Sequence, residues 1–136
     1  MDISEAQQFL RTNHRGVLVT RRRDGSPQLS PVSATVDDEG RVVISTRETA
    51  MKTHNLRRDR RTSLCGFTDD FYGQWAQVDG TAEIVGMPEA MELLVAAYRQ
   101  AAGEHPDWGD FRAAMVEQRR VAVRITIERA GPSRAG

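Results

Sequence analysis

A single cysteine, Cys65, among 136 residues leaves no partner for an internal disulfide and fits a reducing compartment, so a cytoplasmic protein is expected. Nor is there an excess of either charge. Nineteen basic residues balance nineteen acidic ones, which argues against a general nucleic-acid or acidic-membrane surface. No apolar run approaches a membrane span, and the opening "MDISEAQQFLRT" lacks the apolar stretch of a signal peptide. His14, His54 and His105 are isolated, and none stands at ligand spacing from Cys65, so a metal centre is not expected. A P-loop, a GxGxxG fingerprint and a nucleophilic serine in a Gly-flanked turn are also missing.

Lysine is the scarcest cation. Lys52 is the only one, against eighteen arginines. It falls in "TAMKTHNLRRDRR" (49–61), in what should be the first turn of a short helix capped by Thr46 or Thr49. A helix start is already electropositive, so a cation there is unfavourable unless an anion joins it. Either a phosphate-like group occupies the spot, held by free backbone N–H groups and a compact ammonium, or Glu48 or solvent settles the charge.

The rest of the chain reads as one domain over residues 1–129, with 130–136 as a loose tail. A helix is predicted over 4–12, with Ser4 and Gln7 as its capping box and Ala6, Phe9 and Leu10 on its buried face. "GVLVTRRR", the turn "DG" and "PQLSPVSATVD" form a hairpin pattern, and "RVVIST" (41–46) adds a third strand. Pro31 cannot donate to a ladder, which puts its arm at an edge or a bulge there. Further strands are predicted at 61–67, 74–86 and 120–128, with helices at 48–58, from Pro88 to about 102, and at 107–119. Six strands in short antiparallel connections point to a mainly β protein with flanking helices, its sheet closed or nearly closed into a barrel.

Several polar residues could serve a cofactor. Gln28, Ser30 and Ser33 stand on the second arm of the hairpin. Asn55 follows Lys52 by three residues on the predicted helix. Trp75 offers a flat apolar surface, for a ring or for a partner or core contact. The arginine runs at 21–23 and 57–61 are either solvated faces or a track for a negatively charged tail.

"RRRDGSPQLSPV" (21–32), "STRETAMKTHNLRRDRRTSL" (45–64), "VDGTAEIV" (78–85) and "YRQAAGEHPDWGDFRAAMVEQRRVAVRI" (98–125) resemble the deazaflavin-dependent branch of the pyridoxamine-phosphate-oxidase-like oxidoreductases. These are small actinobacterial enzymes that use coenzyme F420. The resemblance spans roughly residues 5 to 129. It implies a six-stranded antiparallel split β-barrel and a homodimer with two cofactor sites between the protomers. It also implies hydride transfer from reduced F420 to an electron-poor C=C or C=N bond of a small organic substrate. The phosphate would be held by Ser45, Thr46, Arg47, Lys52 and Asn55, with Gln28 and Ser30 along the ring side and Trp75 near the ring or substrate mouth. Two departures bear on the cofactor: Ala50 stands where relatives often carry arginine, and Pro31 replaces a common polar residue. The alternatives are an FMN-dependent oxidase or reductase of the same fold, or a flavin or deazaflavin carrier or sensor without turnover. Haem is disfavoured because no histidine lies in an axial-ligand motif.

Overall fold

The computed structural model describes residues 1–132. Its elements are α1 (Ile3–Thr12), β1 (Arg15–Arg21), β2 (Pro27–Val36), β3 (Val42–Arg47), α2 (Met51–Arg58), β4 (Arg61–Phe67), β5 (Trp75–Val85), α3 (Ala90–Ala102), α4 (Trp108–Glu117) and β6 (Arg120–Gly131). The strands close into an antiparallel barrel in the order β1-β2-β3-β6-β5-β4, so the barrel expectation holds. Of the predicted tail, residues 133–136 lie outside the described residues. The strand before it runs on to Gly131, which pairs with Gln77, so the expected boundary after residue 129 falls inside β6.

Alternation decides which side chains fill the barrel. Leu18, Ala34, Val36, Val42, Ile44, Leu64, Ala76, Val78, Ala82, Val123 and Ile125 form one buried cluster with Ala6, Phe9 and Leu10 of α1 and Leu56 of α2. The register of β5 against β6 slips between Asp79 and Gly80. A Cβ at Gly80 would collide with the Thr126 carbonyl oxygen, so glycine lets β6 approach at this bulge. A second cluster forms where α3 and α4 cover the outside of β3 and β6: Leu94, Val95 and Phe111 close over Val43 and Ala122.

Three helix starts differ from expectation. Asp2, not Ser4, caps α1: its carboxylate accepts from the Glu5 N–H at 2.8 Å, and Glu5 Oε1 accepts from the Asp2 N–H at 3.4 Å. Gln7, released from that role, donates to the Gly40 carbonyl at 2.9 Å and ties α1 to the β2–β3 turn. Pro88 precedes α3 and does not open it, because the first helical residue is Ala90. At α2 the N-cap is Ala50, with no side-chain hydrogen bond. Neither proposed threonine caps it: Thr46 belongs to β3, and Thr49 precedes the cap.

Candidate functional site

The ladder between β2 and β3 spans only Ala34–Val36 against Val42–Ile44. Beyond it the strands part: β2 stays with β1 down to Pro27, and β3 stays with β6 up to Arg47. The Ala34 N–H donates to the His14 carbonyl on the β1 side. By strand alternation the N–H position of residue 31 faces the β3 side. Proline is tolerated at that point because no β3 partner is there to accept.

The parted strands and the start of α2 border a cleft of about 470 Å3, lined by Pro31, Val32, Ser33, Ser45, Thr46, Arg47, Thr49, Ala50, Lys52 and Arg120. Four of the predicted site residues therefore meet: Ser45, Thr46, Arg47 and Lys52. Thr46 is 2% exposed and follows Val42 and Ile44 on the barrel side, whereas Ser45 and Arg47 are exposed on the outer side. Glu48 does not settle the charge of Lys52. Its carboxylate accepts from Arg57 Nη2 at 2.7 and 2.8 Å. No acidic residue occupies the first turn of α2. Thr53 spends its hydroxyl on the Arg47 carbonyl at 2.6 Å, which ties the helix to the end of β3.

Arg120 was not anticipated. It pairs with Arg47 across the β3–β6 ladder, so two guanidiniums flank one rung beside the cleft. Burial, and secondarily the charge of Arg47, pushes the Arg120 guanidinium below its ordinary range. Its Nε donates to the neutral Gln118 Oε1 at 2.9 Å. Among the described residues, none of Arg47, Lys52 and Arg120 forms an ion pair. A cluster of three unpaired cations, next to a helix start with no capping side chain, suits an anionic group.

Asn55 is not in this cleft. It is 1% exposed, donating to Gln28 Oε1 at 2.8 Å and Thr20 Oγ1 at 3.1 Å and accepting from Arg58 Nη2 at 3.0 Å. Asn55 points under α2 into the barrel end, three residues and nearly a full helical turn from Lys52. With Gln28, Arg22, Arg23, Asp24, Met51 and Arg58 it lines a second cavity of about 400 Å3. Because Asn55 donates to the Gln28 oxygen, the Gln28 amide nitrogen remains as a donor for that cavity. The two cavities border successive residues of α2, Met51 and Lys52, and the half of β2 that has left β3 runs between them. Ser30 is half-buried on this half, opposite Leu18, and lines neither cavity.

Trp75 stands apart. It opens β5, half-buried beside a hollow of about 240 Å3 shared with Gln77, Asp79 and Arg129. In the barrel order β5 is three strands from β2 in either direction. Burial pushes the Asp79 carboxyl up, but hydrogen bonds from Ser63, Gln77 and Arg129 outweigh it and leave the group below its ordinary value. Burial raises the Cys65 thiol, so a thiolate is disfavoured there. A hollow of about 520 Å3 between α3 and the β2–β3 turn holds none of the predicted site residues, and its Arg41 is paired with Asp37 at 2.9 Å and Glu39 at 3.1 Å. No group of three or more metal-ligating side chains occurs among the described residues, and no helix there is long and apolar enough to cross a membrane.

The chain matches the family model described as pyridoxamine 5'-phosphate oxidase over residues 3–133. Among solved structures, it is similar to the conserved hypothetical protein Rv2991 from Mycobacterium tuberculosis, at 29% identity and a TM-score of 0.78, covering 100% of this chain and 93% of that one. It shares its fold with an F420 reductase, at 19% identity and a TM-score of 0.71, over 92% of this chain and 94% of that one. It shares it equally with HutZ, a heme storage protein from Vibrio cholerae, at 17% identity and a TM-score of 0.71, over 94% and 92%. With the family model covering nearly the whole length, and a closed barrel parted beside a cationic cleft, the chain belongs to the pyridoxamine 5'-phosphate oxidase family.

Proposed function

We propose that this protein is an oxidoreductase that binds coenzyme F420 along the half of β2 that has left β3 and passes a hydride to an electron-poor C=C or C=N bond of a small organic substrate. The observation that carries the reading is the cleft where β2 leaves β3, with Lys52 and Arg47 beside an uncapped helix start. The residues present fit a phosphate-bearing coenzyme. Lys52, a compact ammonium, and Arg47 neutralise the phosphate, while Ser45 and Thr46 line the wall behind it. The Gln28 amide nitrogen, held as a donor by Asn55, serves the ring side or a substrate carbonyl as negative charge develops. Asn55 is thus a positioning residue, not a phosphate ligand. When bound, the deazaflavin supplies the hydride chemistry, and the protein supplies position and field. No side-chain nucleophile is needed, and the final proton comes from solvent.

A second protomer completes the site. The outer face of β2, β1, β4 and β5 carries Leu29, Pro31, Val17, Val19, Cys65, Phe67 and Trp75, while α3 and α4 pack on β3, β6 and the Val36 end of β2. Leu29 is 62% exposed on that face. A homodimer formed there covers it and carries Trp75 from one protomer towards the cleft of the other, which no rotation of the side chain achieves within a single barrel.

The second reading is FMN in the same cleft, favoured by the family model itself. Spectral titration with F420 and with FMN separates the two. Tighter binding of F420 is expected, and tighter binding of FMN overturns the choice. Oxidation of reduced F420 in the presence of quinones, enones and linear tetrapyrroles then tests turnover. If the coenzyme binds and no acceptor speeds its oxidation, the protein is a carrier or sensor.

A further inference from the structure

We infer that Arg47 and Arg120 form a like-charged clamp that makes the cleft selective for a doubly charged anionic group, a phosphate monoester dianion or a phosphodiester with an adjacent carboxylate. The inference deepens the cofactor reading above and rests on its placement of an anion in the β2–β3 cleft.

The argument begins with the rung. Arg47 and Arg120 are Cα partners at the last position of the β3–β6 ladder. Side chains of directly opposed residues in an antiparallel pair stand on the same face, about 5 Å apart at Cβ, and like charges there are destabilising. Such pairs are normally relieved by a carboxylate. Here Glu48, next in sequence to Arg47, pairs with Arg57, and Arg120 bonds to the neutral Gln118 with no ion pair of its own among the described residues. Lys52 brings a third positive charge to the same 470 Å3 cleft, with no ion-pair partner among the described residues. The depressed affinity of Arg120 for its proton, from burial and from Arg47, agrees with two charges held together without an internal counterion.

A singly charged ligand leaves most of this repulsion in place, and a dianion bridging both guanidiniums removes it. Arginine presents paired N–H donors suited to two oxygens of one phosphate, so the clamp reads charge number and geometry together. Lys52 contributes attraction to any anion, whereas the Arg47–Arg120 rung supplies the preference for two charges over one. Anion binding is therefore coupled to the stability of the barrel, because the same rung holds the end of β3 to β6.

Thermal unfolding at pH 8, at constant ionic strength set with chloride, tests the clamp with methyl phosphate and dimethyl phosphate as probes. The first is a dianion and the second a monoanion. Methyl phosphate is expected to raise the melting temperature in a saturable way, and dimethyl phosphate to bind at least about tenfold more weakly, by loss of charge-assisted hydrogen bonds. Arg120→Gln should melt no lower than the wild type without anion and lose about tenfold in methyl phosphate affinity. Arg47→Gln, on the exposed partner, should lose the same preference and guards against a folding defect in the first variant. Equal shifts from both probes, or an unchanged preference in the two variants, overturns the clamp. Neither result depends on F420. A clamp that passes while F420 fails to bind removes the cofactor assignment and leaves the dianion site standing.

Discussion

Asn55 shows how one side chain can look like a ligand and serve as a girder. Its amide and carbonyl are both engaged, with Gln28, Thr20 and Arg58, at a position 1% exposed. Replacing it with alanine leaves the Arg58 guanidinium without its side-chain acceptor and frees the Gln28 amide to rotate. Asn55→Ala should therefore cost about 1–3 kcal/mol in denaturant unfolding. A variant as stable as the wild type would mean that the network is incidental. From the sequence, three-residue spacing suggested that Asn55 joins Lys52. The spacing was right for proximity and wrong for direction, because Asn55 turns into the barrel end with Thr53 and Leu56 while Lys52 stays at the rim. Lys52 itself was legible, since a lone ammonium at a helix start raises an electrostatic question that only its surroundings can answer. Arg120 was not legible: its meaning depends on standing opposite Arg47, and cross-strand neighbours so far apart in the chain leave no local pattern.

At the scale of elements, strands were read more surely than helix starts. The alternation in "QWAQVDGTAEIVG" places Ala76, Val78 and Ala82 in the core as the period of two requires. Helix starts depend on single hydrogen bonds, and at α1 the expected cap was Ser4 while Asp2 has the geometry. α2 has no side-chain cap at its start, and this is informative. Three cations and a neutral Ala50 surround a helix start that a carboxylate would otherwise satisfy. Ala50→Asp should supply that carboxylate, stabilising the anion-free protein by about 1 kcal/mol. The same change should weaken coenzyme binding, since the new carboxylate competes for the same N–H groups and cations. Unfolding midpoints and a coenzyme titration on one preparation check both signs. A gain in stability with undiminished binding would show that the coenzyme does not use the start of α2.

For the whole molecule, charge balance conceals a local imbalance. A neutral chain gathers Arg47, Lys52 and Arg120 at one cleft whose lining includes no carboxylate. Composition gave no sign of a broad polyanion surface and was blind to this clustering, which arises only when β3, β6 and α2 converge. The barrel was readable because closure answers the problem of six short antiparallel strands with exposed edges. The same topology positions the candidate site: where β2 leaves β3, the fold opens a slot with Arg47, Lys52 and Arg120 in its lining. Trp75 opens β5, three strands away from that slot in the barrel order. The most direct check is the dissociation constant for F420, measured by its fluorescence on the wild type and on Lys52→Ala. The account predicts a loss of about 1.5–3 kcal/mol, roughly ten- to a hundredfold, for the variant. Equal constants for the two proteins would contradict it.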